Sequence, residues 1–361
     1  MRILNPYLDA SVPWLKGNLH THTTNSDGPH SPQNTVREYA ERGYDFLMLS
    51  DHDHLTVLDG IDPHGMVLIP GNEITANGPH ILHVGAQSTI PPHTERQRVF
   101  DAIQADGGMA VCNHPNWESS FNHCPQELLA AWDGYAGIEI YNGVVEWLEG
   151  RPCATDRWDR LLASGKRIWG FAHDDCHRAE DIGIAWLMAQ SRERSPEAVL
   201  DALRHGRFYA STGIEITRIE TEDNRIRIET RHPCRISVFS DYGYRRAMAD
   251  GTMPEFAVPQ ARAYTSCASN APATMAGQPG PSPSSSNNPR KCCFQGRCAR
   301  RSGTSRTLKN LKGGNPAIMS WQQKKGGDQL TTNRIVKKWL MLPARTNTCQ
   351  MEWPKGRRSQ A

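Results

Sequence analysis

The chain has 361 residues in two parts of opposite charge: residues 1–258 hold 23 Lys and Arg against 36 Asp and Glu, whereas residues 259–361 hold 18 against 2. No stretch approaches 18 consecutive apolar residues, and the N-terminal segment has no continuous apolar run, which argues against a membrane span and a signal peptide. Five cysteines lie scattered before Pro259 without a Cys-x-x-Cys pair, which favours a reducing compartment and a cytoplasmic protein.

Residues 17–210 alternate short apolar segments with helical patterns. A helix is predicted over 32–42, with Ser31 as N-cap and Gly43 as its end. Strands are predicted at 45–50, 67–69, 81–85, 109–112, 137–141 and 167–172. Further helices are predicted at 95–106, 126–132, 145–164 and 195–205. This alternation predicts a mainly parallel sheet or barrel with helices outside, whose chemistry collects at the carboxyl ends of the strands.

Residues 214–258 change to a period of two, which is typical of antiparallel strands. Residues 226–230 and 235–240 alternate apolar with polar side chains. We expect a small β module here that ends before it is complete.

Residues 259–361 are basic and rich in Ser, Pro, Gly and Asn, which predicts a disordered, low-complexity tail. The basic residues lack aromatic interleaving and a helical period, so no specific nucleic-acid binding is expected. Back-translation of residues 264–286 in the frame that starts at each third base permits a strand, a turn and a second strand, and residues 287–288 then permit a stop codon. We therefore hypothesise a frameshift between about Ala249 and Ala263, which would leave the β module truncated.

Residue types that bind metals follow almost every predicted strand of residues 1–213. The set is His20, His22 and Asp27, then Asp51 to His54, Glu73, His80 and His83, His114, Glu139 to Asn142, and Asp174 to His177. A His-x-His in extended backbone places both imidazoles on one side, with backbone positions about 7 Å apart. A carboxylate such as Glu73 can bridge two cations, and mixed nitrogen and oxygen ligands suit Mn, Zn or Fe. The set as a whole therefore predicts a metal site.

Other histidines are expected to be ordinary surface residues. These are His30, His64, His93, His123, His205 and His232. Asp53 and His54 are expected to shape their loop rather than bind metal. The sequence contains no Ser-His-Asp or Cys-His nucleophile pattern, no phosphate-binding Gly-rich loop and no Rossmann fingerprint.

Six motifs resemble those of the polymerase and histidinol phosphatase (PHP) superfamily over about residues 15–213. They are HTHTTNSDG, YDFLMLSDHD, IPGNEI, CNHPNW, GIEIYNG and GFAHDDCHR. The ending GRFYASTG before a β module is similar to a stand-alone branch that includes carbaryl-hydrolase-like proteins. The resemblance implies a distorted seven-stranded β/α barrel with a two- or three-metal centre.

The resemblance also implies the metal ligands. His20 and His22 would hold one ion with Glu73 and Asp175, and Glu73 would bridge to a second ion bound by His114. A third ion would be held by Asp27, His52 and His177.

The ligand from the predicted strand at 81–85 is ambiguous, since His80 and His83 lie on opposite faces of an extended chain. The branch pattern of Gly-Pro-His followed five residues later by Gly favours His80. Asp174, Glu139 and Asn142 would support the ligands from behind.

The implied mechanism is hydrolysis by a metal-bridging hydroxide, because two cations that share a water lower its pKa towards neutrality. Glu73, Asp175 and His177 would take part in catalysis. Arg178 is a candidate contact for a substrate anion, or alternatively a solvated loop residue. We expect a phosphoesterase acting on a small molecule; an amide or carbamate hydrolase and a non-catalytic metal-binding barrel remain the alternatives.

Overall fold

The computed structural model describes residues 2–257, 317–324 and 337–341 of the chain. The strands are β1 Arg2–Leu4, β2 Trp14–Asn18, β3 Phe46–Met48, β4 Val67–Ile69, β5 Gly71–Ile74, β6 Ile81–Val84, β7 Met109–Cys112, β8 Gly137–Asn142, β9 Trp169–His173, β10 Trp186–Gln190, β11 Phe208–Ser211, β12 Ile216–Glu222, β13 Arg225–Thr230, β14 Cys234–Ser240, β15 Tyr244–Gly251, β16 Glu255–Ala257, β17 Ala317–Lys324 and β18 Lys337–Met341. The α-helices are α1 Pro32–Glu41, α2 Arg96–Ala105, α3 Gln126–Ala131, α4 Thr155–Ala163 and α5 Pro196–Arg204. Short 3-10 helices span Val144–Glu146, Ala179–Asp181 and Asp241–Gly243.

The strands form three sheets with mixed directions. One sheet has the order β15-β14-β18-β17-β11-β10-β2-β3-β4, with β1 beside β17; a second has the order β5-β6-β7-β8-β9; and a third has the order β12-β13-β16. Pairing is parallel along β2-β3-β4 and β7-β8-β9 and antiparallel elsewhere. The expectation of a mainly parallel sheet therefore holds only for these two groups of strands.

None of the three sheets closes on itself among these strands, so the distorted seven-stranded barrel implied by the resemblance is not observed. The first two sheets meet instead through two isolated parallel bridges, Thr21 with Cys176 and His52 with Glu73. The physical reason is that the ladder of β2 and β3 stops at Asn18 and Met48, where the chain turns into the loops that carry His20 and His52. The architecture is a mixed α/β fold whose two larger sheets adjoin at the predicted ligands.

Local signals explain the helix boundaries. Ser31 Oγ accepts a hydrogen bond from the backbone N–H of Asn34, Pro32 occupies the first helical position, and Gly43 takes a φ of +71° just past the end of α1. Ser195 caps α5 in the same way through the N–H of Ala198. None of the helices within the described ranges is long and apolar enough to cross a bilayer.

Two expectations for secondary structure are wrong in detail. The predicted helix over 145–164 is a 3-10 turn followed by α4, because Gly150, at a φ of +119°, and Pro152 interrupt it. The sequence pattern also missed β5, β10 and β11. In β5 the reason is its composition, since Asn72 and Glu73 are polar but fully buried.

The β module is antiparallel, as expected for residues 226–230 and 235–240. Its core consists of aliphatic side chains from β12, β13 and β14 that pack against Tyr7 and Tyr209. Within the predicted tail, β17 and β18 pair with each other and with β11 and β14, and the disordered tail stays a prediction. The other residues of 259–361 lie outside the described part of the chain, and the frameshift stays a hypothesis.

Candidate metal centre

Backbone hydrogen bonds hold the ends of four strands together at one place. The N–H of Asp175 donates to the carbonyl of His20 at 3.0 Å, and the N–H of His22 donates to the carbonyl of Cys176. On the other side, the N–H of Asp53 donates to the carbonyl of Glu73 at 2.7 Å. The segments after β2, β3 and β9 therefore deliver their side chains to the same volume as β5.

Glu73 lies at the centre of this volume and is fully buried. Its Oε1 lies 3.2 Å from His20 Nε2, 3.2 Å from His80 Nδ1 and 3.4 Å from His114 Nε2. Its Oε2 lies 2.8 Å from His52 Nδ1. Each carboxylate oxygen thus faces a different group of imidazoles, which is the arrangement expected of a carboxylate shared by two cations.

Asp175 is the second central carboxylate. Its Oδ1 lies 3.2 Å from His20 Nε2, 3.0 Å from His22 Nε2 and 3.3 Å from His177 Nδ1. Its backbone has a φ of +55°, a conformation that non-glycine residues adopt only where the surroundings require it. The structure therefore brings together His20, His22, Glu73 and Asp175, the four residues assigned to one ion.

Asp27 joins the cluster from its exposed side. Its carboxylate lies 3.4 Å from His52 Nε2 and 3.4 Å from His177 Nε2, and its side chain is 53% exposed. Nδ1 of His177 donates to the carbonyl of Asp175 at 2.9 Å, which leaves Nε2 directed at Asp27. One His22 nitrogen also lies with these three residues, within 4.8 Å of each of their ligand atoms. His22 is thus shared between the two parts of the site.

The structure places His80 in the cluster and His83 on the opposite face of the sheet. His83 is fully buried, and its Nε2 lies 3.2 Å from a carboxylate oxygen of Asp106. The space around it is tight, since a Cβ on Gly108 would approach His83 to 2.5 Å. This geometry agrees with the preference for His80.

Glu139 and Asn142 lie behind the candidate ligands. Oε1 of Glu139 accepts from His20 Nδ1 at 2.7 Å, and Oε2 accepts from the N–H of His114 and from Asn142 Nδ2. Asn142 Nδ2 also donates to Asp175. These contacts fix the His20 ring so that its Nε2 faces the central carboxylates.

Asp174 points away from the cluster into the core. It accepts hydrogen bonds from the Tyr39 and Tyr44 hydroxyls and from the backbone N–H groups of Gly183 and Ala185. Burial raises the pKa of Asp174 to about 6, although these hydrogen bonds oppose that shift. Its role is to hold the segment that carries Asp175.

Two histidines were missed. His173 is fully buried and donates from Nδ1 to Glu139 at 2.8 Å. His123, expected at the surface, packs against His80, His114 and Trp117. Its Nε2 accepts from the N–H of His80, and Nδ1 faces Glu118, so both ring nitrogens have partners. No strand precedes His123, and His173 lies within a strand, so the strand-end rule could not find them.

Two aspartates organise the loops. Asp53, as expected, accepts from the N–H groups of Thr75 and Ala76 rather than facing the cluster. Asp51 is buried and accepts from Thr23, Ser26 and Thr56. These bonds fix the loop that carries Asp27.

The electrostatics of the cluster favour bound cations. Burial alone would raise the pKa of Glu73 and Asp175, but the surrounding imidazoles hold both pKa values well below the usual range. Burial alone would lower the pKa of His52 and His177, but their carboxylate neighbours raise these values to about 10 and about 9. Without a metal, protons therefore occupy imidazoles that a divalent ion would otherwise use.

The hydrogen bonding of the cluster also suits a divalent metal, because several buried nitrogen and oxygen atoms lack a hydrogen bond. Four buried atoms that face the cluster make no hydrogen bond of adequate geometry, although oppositely charged groups lie close by: His20 Nε2, His52 Nδ1, Glu73 Oε2 and His80 Nδ1. Buried polar atoms of this kind are normally satisfied. Imidazole nitrogens with carboxylate oxygens are a ligand set for Mn, Zn or Fe.

A cavity of about 400 Å³ opens over the cluster. Asp27, His52, Glu73, His114 and Asp175 line one side of it. Arg178 also lines the cavity, with its guanidinium 2.8 Å from buried Asp181. The structure thus brings Arg178 to the site, although part of its hydrogen-bonding capacity is used by Asp181.

Comparison with known proteins identifies a family model and a related protein. Residues 162–208 match the family model of the PHP-associated region. An uncharacterized protein of Methanocaldococcus jannaschii is 23% identical over 118 residues, which is 28% of this chain and 68% of that protein.

Solved structures show a more distant likeness. A two-domain protein of Bacteroides vulgatus containing a predicted PHP-like metal-dependent phosphoesterase has a TM-score of 0.44 at 18% identity, over 70% of this chain and 89% of that one. A Bifidobacterium adolescentis protein provisionally described as a metal-dependent phosphoesterase has a TM-score of 0.38 at 18% identity, over 54% and 98%. Both scores are below 0.5, so these likenesses define neither the fold nor the activity.

The fold and site define a class, a mixed α/β protein with a buried cluster of histidines and carboxylates. The PHP-associated match at residues 162–208 includes GFAHDDCHR, one of the motifs that resemble those of the PHP superfamily. Residues 162–208 are therefore similar to the PHP-associated region of that superfamily. Membership of the carbaryl-hydrolase-like branch stays a prediction.

Proposed function

We propose that this protein is a metal-dependent hydrolase and that its substrates are phosphoesters of small molecules. The observation that supports the proposal is the position of the Glu73 carboxylate. Its two oxygens face two different groups of imidazoles. That arrangement supports two adjacent cations, with Asp27, His52 and His177 suited to a third. When bound, divalent ions supply the Lewis acidity that activates water and neutralises charge developing on the substrate.

The protein groups have separate tasks in this proposal. The nine ligands would be His20, His22, Asp27, His52, Glu73, His80, His114, Asp175 and His177. Glu139 orients His20 through the 2.7 Å hydrogen bond, and Asn142 orients Asp175. Arg178 is the cation at the cavity from which a substrate anion would gain an additional contact.

A carbamate or amide hydrolase is the second candidate, because part of the cavity lining is apolar. Val144, Val145, Trp147 and Leu148 line it. A neutral carbonyl substrate would pack against that apolar surface as well as a phosphoester would. Arg178 at the cavity favours an anionic substrate, so phosphoesters are the first class to assay.

The test is a turnover screen of the full chain loaded with Mn or Zn, against phosphomonoesters, phosphodiesters and aryl carbamates. We expect hydrolysis of one phosphoester class and its loss in the Asp175→Ala variant. Turnover of carbamates alone would support the second candidate. Full metal occupancy without turnover of any substrate would refute both and favour a metal-binding protein without catalysis.

A further inference from the structure

The cavity over the metal centre has two chemically different sides. Part of its lining is the charged cluster, and another part consists of Val144, Val145, Trp147 and Leu148. Trp147 is 58% exposed and Leu148 is 46% exposed, although both are large apolar residues. Exposed apolar groups that adjoin a polar site are typical of a ligand-binding surface rather than of an ordinary protein surface.

The apolar side is built onto the strand that carries the ligands. The N–H of Gly143 donates to the carbonyl of His173, and the N–H of Val144 donates to the carbonyl of Asp174. A Cβ on Gly143 would lie 2.7 Å from the Asp174 carbonyl oxygen, so this close approach requires glycine. The position of the 3-10 helix Val144–Glu146 is therefore fixed relative to Asp175.

The indole of Trp147 is held in place despite its exposure. The guanidinium carbon of Arg178 lies 5.4 Å from the centre of the Trp147 ring, a cation–π contact. Arg178 is in turn fixed by Asp181, which accepts from its guanidinium and from its backbone N–H, both at 2.8 Å. A ring ordered in this way loses little conformational freedom when a flat group packs against it.

We propose that Trp147 and Leu148 form a subsite for a flat hydrophobic group next to the bond that is hydrolysed, so that aryl and arylalkyl esters are the preferred substrate class. This inference rests on the proposed function, since the anionic or carbonyl end of the ligand lies at the metal centre. The volume of about 400 Å³ accommodates a ligand of that size. Small hydrophilic esters would leave the apolar side exposed to water.

Binding of two phosphonates to the full chain loaded with Mn or Zn tests the subsite without requiring turnover. Benzylphosphonate and methylphosphonate share the anionic group and differ in the flat hydrophobic part. Their dissociation constants are measured by calorimetry, together with quenching of tryptophan fluorescence. We expect benzylphosphonate to bind roughly tenfold tighter, as partial burial of an aromatic group implies.

Variants test whether Trp147 and Leu148 cause the preference for benzylphosphonate. Trp147→Ala should remove most of the difference between the two phosphonates, and Trp147→Phe should retain it. Tyr244→Ala is the matched control, because Tyr244 is an exposed aromatic residue, 62% exposed, that does not line the cavity. Equal affinities in the unmodified protein, or a preference that survives Trp147→Ala combined with Leu148→Ala, would overturn the subsite.

Different experimental outcomes would refute the hydrolase proposal and the subsite proposal. A benzyl preference that depends on Trp147, in a protein that hydrolyses no ester, would support the subsite and refute the hydrolase. Ester hydrolysis without a benzyl preference would refute the subsite alone. Failure of both phosphonates to bind the loaded protein would overturn both.

Discussion

Oε1 of Glu139 lies 2.7 Å from Nδ1 of His20, on the side of the imidazole ring opposite Glu73 and Asp175. Because an ionised carboxylate can only accept, this contact places the ring proton on Nδ1 and leaves Nε2 for the cluster. Burial alone would raise the pKa of Glu139, but His20 and His173 hold it below the usual range. The pair therefore determines both the tautomer and the orientation of the first ligand.

Glu139→Gln should weaken metal binding by about 10- to 100-fold, the usual effect of losing such a supporting carboxylate. The amide keeps the volume but can no longer accept strongly from both His20 and His173. Calorimetric titration with Zn or Mn measures the change. Glu95→Gln, at an exposed glutamate that pairs only with surface Arg98 among its described contacts, is the control. If the affinity for metal were unchanged by Glu139→Gln, His20 would not need its hydrogen bond to Glu139 in order to bind metal.

His22→Ala and Asp175→Ala should each abolish metal binding and turnover together, because both residues contact the centre of the cluster. Metal at about 100 times its dissociation constant should stabilise the unmodified protein by about 2.7 kcal/mol. That rise in melting temperature should be absent from both variants and present in His205→Ala, an exposed histidine outside the cluster. Activity retained in either variant would rule out the proposed site.

His80→Asn should lower the number of bound metal ions per chain, and His83→Asn should not. The two residues are three positions apart, but only His80 faces Glu73, while His83 faces Asp106. Elemental analysis of the purified, metal-saturated proteins gives the count. The reverse result would move the ligand to His83.

His83 should also make stability depend on pH. Burial lowers the pKa of His83 in the folded state, although Asp106 opposes that shift. The unfolded chain takes up a proton near pH 6.5, so this contribution is complete above about pH 6.5 and is lost as the pH falls below it. Urea unfolding between pH 5 and 8 should show a shallower loss for His83→Gln. Identical pH profiles for the two proteins would argue against a neutral His83 in the fold.

Sequencing the gene across codons 249–263 tests the frameshift hypothesis. We expect the restored frame to encode two further strands and a stop near codon 287. An uninterrupted frame supported by independent reads would refute the hypothesis, and the strands β17 and β18 would then belong to the protein as it stands.

The grouping of the candidate metal ligands was predictable because the carboxyl ends of neighbouring strands meet. His20, His22, Glu73 and Asp175 come together as the strand order requires, and period-two alternation separates His80 from His83. The open arrangement of the described sheets was not predictable, since it depends on where the ladder of β2 and β3 stops. His123 and His173 were missed for a related reason: their partners, the N–H of His80 and the carboxylate of Glu139, are distant in the sequence.

The two larger sheets adjoin through the bridges at Thr21–Cys176 and His52–Glu73, and the proposed ligands His20, His52, Glu73 and Asp175 come from both of them. Ions bound to these residues would connect the sheets directly. Removing the ions should therefore increase local opening between the sheets before it affects global unfolding. Amide hydrogen exchange would report this opening at His22, Asp53 and Asp175, whose N–H groups cross the junction. The proposed metal centre would then also stabilise the junction between the two larger sheets.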